Sequence, residues 1–137
     1  MRFINKIPVR VTIPTETLDS VEQMAMQIGC DVNEALNIFL IEAMKDKKIK
    51  QSIYNRVSYL KRKNVVKYRS KSLDKSYFNF KMSESLYDLL YTIDKIYDNH
   101  GFSLLVLKVA FESINQKGAD GILIGRVLNS EQPTKIY

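Results

Sequence analysis

Residues 7–44 and 77–116 repeat one pattern of apolar and polar positions. Each copy opens on an alternating run, Ile7-Pro8-Val9-Arg10-Val11-Thr12-Ile13 in the first and Tyr77-Phe78-Asn79-Phe80-Lys81-Met82 in the second. Successive side chains of an extended strand point to opposite faces. Val9, Val11 and Ile13 therefore share one face, with Arg10 and Thr12 on the other. In the second run Phe78, Phe80 and Met82 oppose Tyr77, Asn79 and Lys81. The period then changes to that of a half-buried helix. Leu18, Val21, Met24, Ala25 and Ile28 recur at helical spacing up to Gly29, with Pro14 in the first turn, where proline is tolerated. Asp31-Val32-Asn33-Glu34 then resembles a capping box, and Ala35, Leu36, Phe39, Leu40 and Ala43 form the next apolar stripe. In the second copy Leu86, Leu89, Leu90, Ile93, Ile96 and Tyr97 run toward Gly101, and Ser103 is placed to cap a helix from Leu104 to Ile114.

The fold class that follows is mainly α with a short antiparallel β-ribbon, built from two strand-helix-helix units. Unit one covers residues 1–45, a basic and partly helical linker 46–76, unit two 77–117 and a C-terminal tail 118–137. A unit of roughly 40 residues buries too little surface to be stable alone, and a lone strand leaves its backbone groups unpaired. Each unit needs a partner. Pairing within the chain sets the small Val9-Val11-Ile13 row against the bulky Phe78-Phe80-Met82 row, which fills a shared core evenly. The length of the linker argues for the other arrangement, in which each half pairs with its equivalent in a second chain. Within-chain pairing is the expectation, and isolated residues 1–50 are then expected to fold poorly.

Charge changes the picture through its distribution. The chain carries a formal net charge of +6, but residues 45–76 alone hold twelve basic side chains against Asp46 and Asp74. Ile49, Ile53, Val57 and Leu60 recur as one apolar stripe in that segment, a continuation of the second helix, among Lys47, Lys48, Lys50, Arg56, Lys61, Arg62 and Lys63. The stripe fits a solvated helix packed on the core. The cations fit an arm that neutralises phosphates and makes binding steeply salt-dependent. The two are compatible.

Other chemistry has little support. One Cys, Cys30 in a turn, and one His, His100 before Gly101 at an expected helix C-terminus, make no zinc set. There is no nucleophile-base-acid spacing or phosphate loop, so neither an enzyme nor a cofactor is expected. Glu16, Glu22, Glu34 and Glu42 are spaced as a solvated helix surface. Gly118-Ala119-Asp120-Gly121-Ile122-Leu123-Ile124-Gly125 reads as a loop and short strand, or as an oligomer contact. No apolar run approaches the length of a membrane span and no signal peptide is visible, so a soluble cytoplasmic protein (host cytoplasm if viral) with no membrane partner is expected.

On the residues quoted above, each copy resembles the ribbon-helix-helix fold of the Arc and MetJ repressor superfamily. The strand-to-helix junction Thr12-Ile13-Pro14-Thr15-Glu16-Thr17-Leu18-Asp19 and the turn Gly29-Cys30-Asp31-Val32-Asn33-Glu34 carry the likeness most closely. The resemblance implies a two-stranded ribbon in the major groove of double-stranded DNA, which admits such a ribbon, and phosphates held by backbone N–H groups opening the second helix. It makes Arg10, Thr12, Tyr77, Asn79 and Lys81 base readers, and Val32-Asn33 and Leu104-Leu105, the latter capped by Ser103, phosphate clamps. Lys61, Arg62 and Lys63 add phosphate contacts from the linker. Asp31 departs from the Ser or Thr common at that cap, and its carboxylate competes with a phosphate, so the Ser103 clamp is the better candidate. The implied function is transcriptional regulation, as a repressor. The alternatives are an accessory factor for transfer or partition of a mobile element, or an antitoxin, whose tails are usually acidic where this linker is basic. Tandem ribbon-helix-helix proteins of conjugative plasmids and regulators of archaeal filamentous viruses share this layout. Beyond DNA the expected partner is the chain itself, as a pseudo-dimer and in higher oligomers built from repeated copies.

Overall fold

The structure, a computed structural model, describes residues 2–3, 8–63, 74–91 and 100–130, without the side chains of Lys61 and of residues 100–105. Within these residues the chain runs β1 (Val9–Pro14), α1 (Thr15–Ile28), α2 (Val32–Lys45), α3 (Lys47–Arg62), β2 (Lys75–Phe80), α4 (Glu84–Tyr91), α5 (His100–Gln116) and α6 (Asp120–Ser130). It is mainly helical, with one two-stranded antiparallel sheet.

The alternating runs form that sheet. β1 and β2 pair from Val9 opposite Phe80 to Pro14 opposite Lys75. Val11, Ile13, Phe80 and Met82 are buried and Val9 and Phe78 pack partly against the same core. A one-residue slip in this register would turn the whole apolar row to solvent, so the row that fixes the register also fixes which side chains point out. Beneath β1 lies α5, which supplies Val106, Leu107, Val109, Ala110, Phe111 and Ile114 to the core.

The first copy folds largely as its pattern requires. Pro14 is an exception in detail. It closes β1 as the residue before α1, with φ −53° and ψ 131°, and does not enter the helix's first turn. Its ring fixes φ, but the extended ψ keeps it in the ribbon. Gly29 ends α1 at φ 78°, a left-handed conformation that glycine adopts without penalty. Asp31 caps α2, its carboxylate accepting from the Glu34 N–H at 2.7 Å.

The linker helix is separate from α2. Asp46 leaves helical geometry (φ −86°, ψ 116°) and caps a new helix, accepting from Lys48 N–H at 3.0 Å and Ile49 N–H at 3.1 Å. The expected stripe Ile49, Ile53, Val57 and Leu60 is buried, against α5 and α2. Arg126 on α6 reaches back to Asp46 at 2.9 Å. Its guanidinium, then the Ile49 and Lys48 amides, hold the Asp46 carboxyl below its ordinary value. A carboxyl depressed on folding adds stability above its unfolded pKa, which is lost as pH falls through the folded value. Asp46→Ala should therefore cost about 1 kcal/mol near neutrality, as for loss of a helix cap. In urea titrations the gap between variant and wild type should shrink below about pH 4. A gap independent of pH would show that the carboxylate charge contributes nothing.

Three expectations for the second half are corrected or fall elsewhere. Residues 118–125 do not form a loop and strand. After Gly118 at φ 63° the chain enters α6, whose Leu123 and Val127 are buried, with Ala119 just ahead of them. The helix packs on α1 and α2, so Ala119, Leu123 and Val127 join the core. Gly121 and Gly125 each cost roughly 1 kcal/mol of helix propensity, which burial of the 119/123/127 row offsets. α5 begins at His100, so Gly101 lies inside that helix, Ser103 is not its cap, and His100 does not end a helix. Positions 92–99, which include Ile93, Ile96 and Tyr97, and position 7 lie outside the described residues.

Candidate nucleic-acid interface

The outer face of the ribbon brings together residues from both ends of the sequence. Arg10 stands directly opposite Asn79 and Thr12 opposite Tyr77. Such facing pairs are close enough for their side chains to interact. Arg10, Tyr77, Asn79 and Lys81 are exposed and Thr12 is half-buried. The Arg10 guanidinium lies 4.3 Å from the centre of the Tyr77 ring, a cation–π contact that restricts a long side chain without desolvating it. An amide, two hydroxyls and two cations therefore share one surface, directly above a core that fixes their backbone.

Lys81 lies one residue past β2, and its placement depends on two asparagines of α2. The Asn33 side chain accepts from Lys81 N–H at 2.8 Å and donates to Lys81 C=O at 3.2 Å. Asn37, fully buried, donates to the same carbonyl at 2.9 Å and accepts from Ser83 N–H at 2.7 Å. Ser83 in turn caps α4 by accepting from Leu86 N–H at 3.1 Å. Residues 2–3 join this corner, with Glu84 N–H donating to Arg2 C=O at 2.9 Å and Phe3 bridging Ser83. Asn37 is buried away from the outer face, yet it holds the end of the strand that carries Tyr77 and Asn79. It is visible in the sequence only as a polar residue inside the apolar run Ala35-Leu36-Asn37-Ile38-Phe39-Leu40.

The other end of the ribbon is fastened by Thr15. Its N–H donates to Asp74 C=O at 3.1 Å, and its hydroxyl is 2.8 Å from that of Ser76. Two residues on, buried Thr17 donates its hydroxyl to Asp120 Oδ2 at 2.7 Å, tying the start of α1 to the start of α6. Asn115 approaches both at 3.3 and 3.4 Å. A carboxylate at a helix N-terminus is favoured by the dipole, but Asp120 Oδ1 is buried without a hydrogen-bond partner among the described residues.

The two expected phosphate clamps fare differently. Val32 and Asn33 do open α2, and Asn33 places that helix start against the end of β2. The Asp31 carboxylate already engages the Glu34 N–H there. Leu104 and Leu105 sit in the second turn of α5, where helix geometry commits their N–H groups to carbonyls four residues back. The Ser103 clamp is therefore corrected: Ser103, Leu104 and Leu105 lie inside α5 and do not open it. Arg62 and Lys63 are exposed at the end of α3, while the side chain of Lys61 lies outside the described residues. No group of His, Cys, Asp and Glu able to hold a metal occurs among the described residues, and no helix there is long and apolar enough to cross a membrane. No protein family, no curated protein and no solved structure matches this chain.

Proposed function

We propose that this chain binds double-stranded DNA by laying the β1–β2 ribbon in the major groove, and that it acts as a transcriptional regulator, a repressor that occludes a promoter. One observation carries the proposal. A solvated row of Arg10 and Asn79, Thr12 and Tyr77 stands across the ribbon while its other face is buried. Arginine pairs bidentately with guanine and asparagine with adenine in that groove. Lys81 extends that base-reading row, and Arg62 and Lys63 at the end of α3 supply phosphate contacts. An accessory role in transfer or partition of a mobile element would use the same surface. Footprinting on the DNA flanking the gene separates the two, a promoter marking the regulator and a transfer or partition site the accessory factor.

On this proposal β1–α1–α2 and β2–α4–α5 are two copies of one ribbon-helix-helix unit, joined as a pseudo-dimer through the ribbon. Two unlike strands present Arg10 and Thr12 beside Tyr77 and Asn79, so each chain reads an asymmetric core site, and larger assemblies repeat it. A perfectly palindromic site would count against this pairing.

Arg10 is the sharpest test. Arg10→Ala should lose specific affinity by roughly 1–3 kcal/mol, the range for one good base contact, with little change in melting temperature. Binding to a selected site and to random duplex should be measured together. Intact specificity in the variant sinks the ribbon as the reading surface.

A further inference from the structure

The solvent side of α3 has no role in reading bases from the ribbon, and its composition is one-sided. Helix α3 contains no acidic residue. Opposite its buried stripe, helical spacing places Lys48, Gln51, Asn55, Tyr59 and Arg62, a row spanning roughly 21 Å along the axis. Beside the first half of this row lies an open groove of about 480 Å³, lined by Lys47, Lys48, Gln51, Ser52 and Asn55 of α3 and by Lys117, just past the end of α5. None of the three lysines is in an ion pair within the described residues. The nearest carboxylate along the chain, Asp46, is already engaged by Arg126 and by the Lys48 and Ile49 amides. Gln51 donates to Asn55 Oδ1 at 2.8 Å, which fixes the two amides relative to one another.

We propose that this groove is a second seat for a phosphodiester backbone, separate from the ribbon and indifferent to sequence. Three lysines from two parts of the chain, none in an ion pair among the described residues, line a surface otherwise made of neutral hydrogen-bonding side chains. Lysine binds phosphate as a point charge, without the planar geometry that specifies a base edge. A strand of duplex DNA carries one phosphate about every 3.4 Å of axis, so a row of this length meets several. The inference rests on the DNA-binding function proposed above, and the test separates the two.

The experiment uses the full chain carrying Lys47→Gln, Lys48→Gln and Lys117→Gln together, with random-sequence duplex as the probe and affinity followed over a range of salt concentrations. The plot of log affinity against log salt should flatten by roughly 0.9 for each lost contact, two to three units in all. The preference for a selected site over random duplex should be unchanged. An unaltered slope overturns the groove and leaves the ribbon standing. Loss confined to one sequence also overturns it, since α3 would then read bases. A flattened slope beside an Arg10→Ala variant of undiminished specificity keeps the groove and overturns the ribbon. A wild-type chain without salt-dependent duplex binding overturns both.

Discussion

Residues 1–63 produced alone should show no cooperative unfolding transition, and their helix content should fall well below that of the same elements in the full chain. The fragment holds β1, α1, α2 and the whole of α3, so the loss cannot be blamed on cutting an element. What it lacks is the other half of every apolar surface. β1 is paired with β2 along its full length and packs on α5. Val11, Ile13, Ile53 and Val57, each essentially inaccessible in the full chain, would be uncovered by removal of β2 and α5. Returning a side chain of that size to water costs roughly 1.5–3 kcal/mol, against a total stability of only about 5–15 kcal/mol for a domain. Circular dichroism with thermal melting and sedimentation decides the matter. A fragment that melts cooperatively as a dimer would mean that β1 pairs with β1 of another copy, and the pseudo-dimer would fall. A merely disordered fragment is the expected result.

What the residues disclosed in advance was the part governed by periodicity. Val9, Val11, Ile13 against Arg10 and Thr12 leave little choice of face once a strand forms, and the same holds for Phe78, Phe80 and Met82. The α3 stripe was legible for the same reason, because four apolar residues at helical spacing stand out against lysines. α6 was obscured by Gly121 and Gly125, which weaken a helix locally, although Ala119, Leu123 and Val127 already had the spacing of a buried row. Ser103 misled because a polar side chain two residues past a glycine looks the same inside a helix as before one. The break at Asp46 was hidden because an acidic residue before Lys47-Lys48 also suits a continuous helix. Asn37, Thr17 and Asp120 were beyond reach. A polar residue among apolar ones declares neither its burial nor its partner, and the partners here lie 46 and 103 residues away.

Asn37 is where that hidden layer should matter most. Asn37→Ala removes the acceptor of Ser83 N–H and one donor to Lys81 C=O in a fully buried position. A buried group left without its partner costs about 1–3 kcal/mol, so the expected loss is roughly 2–4 kcal/mol, read as a lower urea midpoint at unchanged slope. Asn33→Ala is the internal comparison. It removes two bonds to Lys81, but at an exposed site where water replaces them, so it should cost well under half as much. Asn37 also fixes the point where β2 ends and α4 begins, because Ser83 is both its partner and the cap of α4. The damage should therefore spread along the chain. Amide exchange in Asn37→Ala should accelerate from Phe80 through Leu90 while α3 stays protected, whereas Asn33→Ala should leave α4 as in the wild type. If the two variants lose equal stability, or if exchange rises evenly over the molecule, Asn37 is an ordinary core position and the ribbon is held by its apolar face alone.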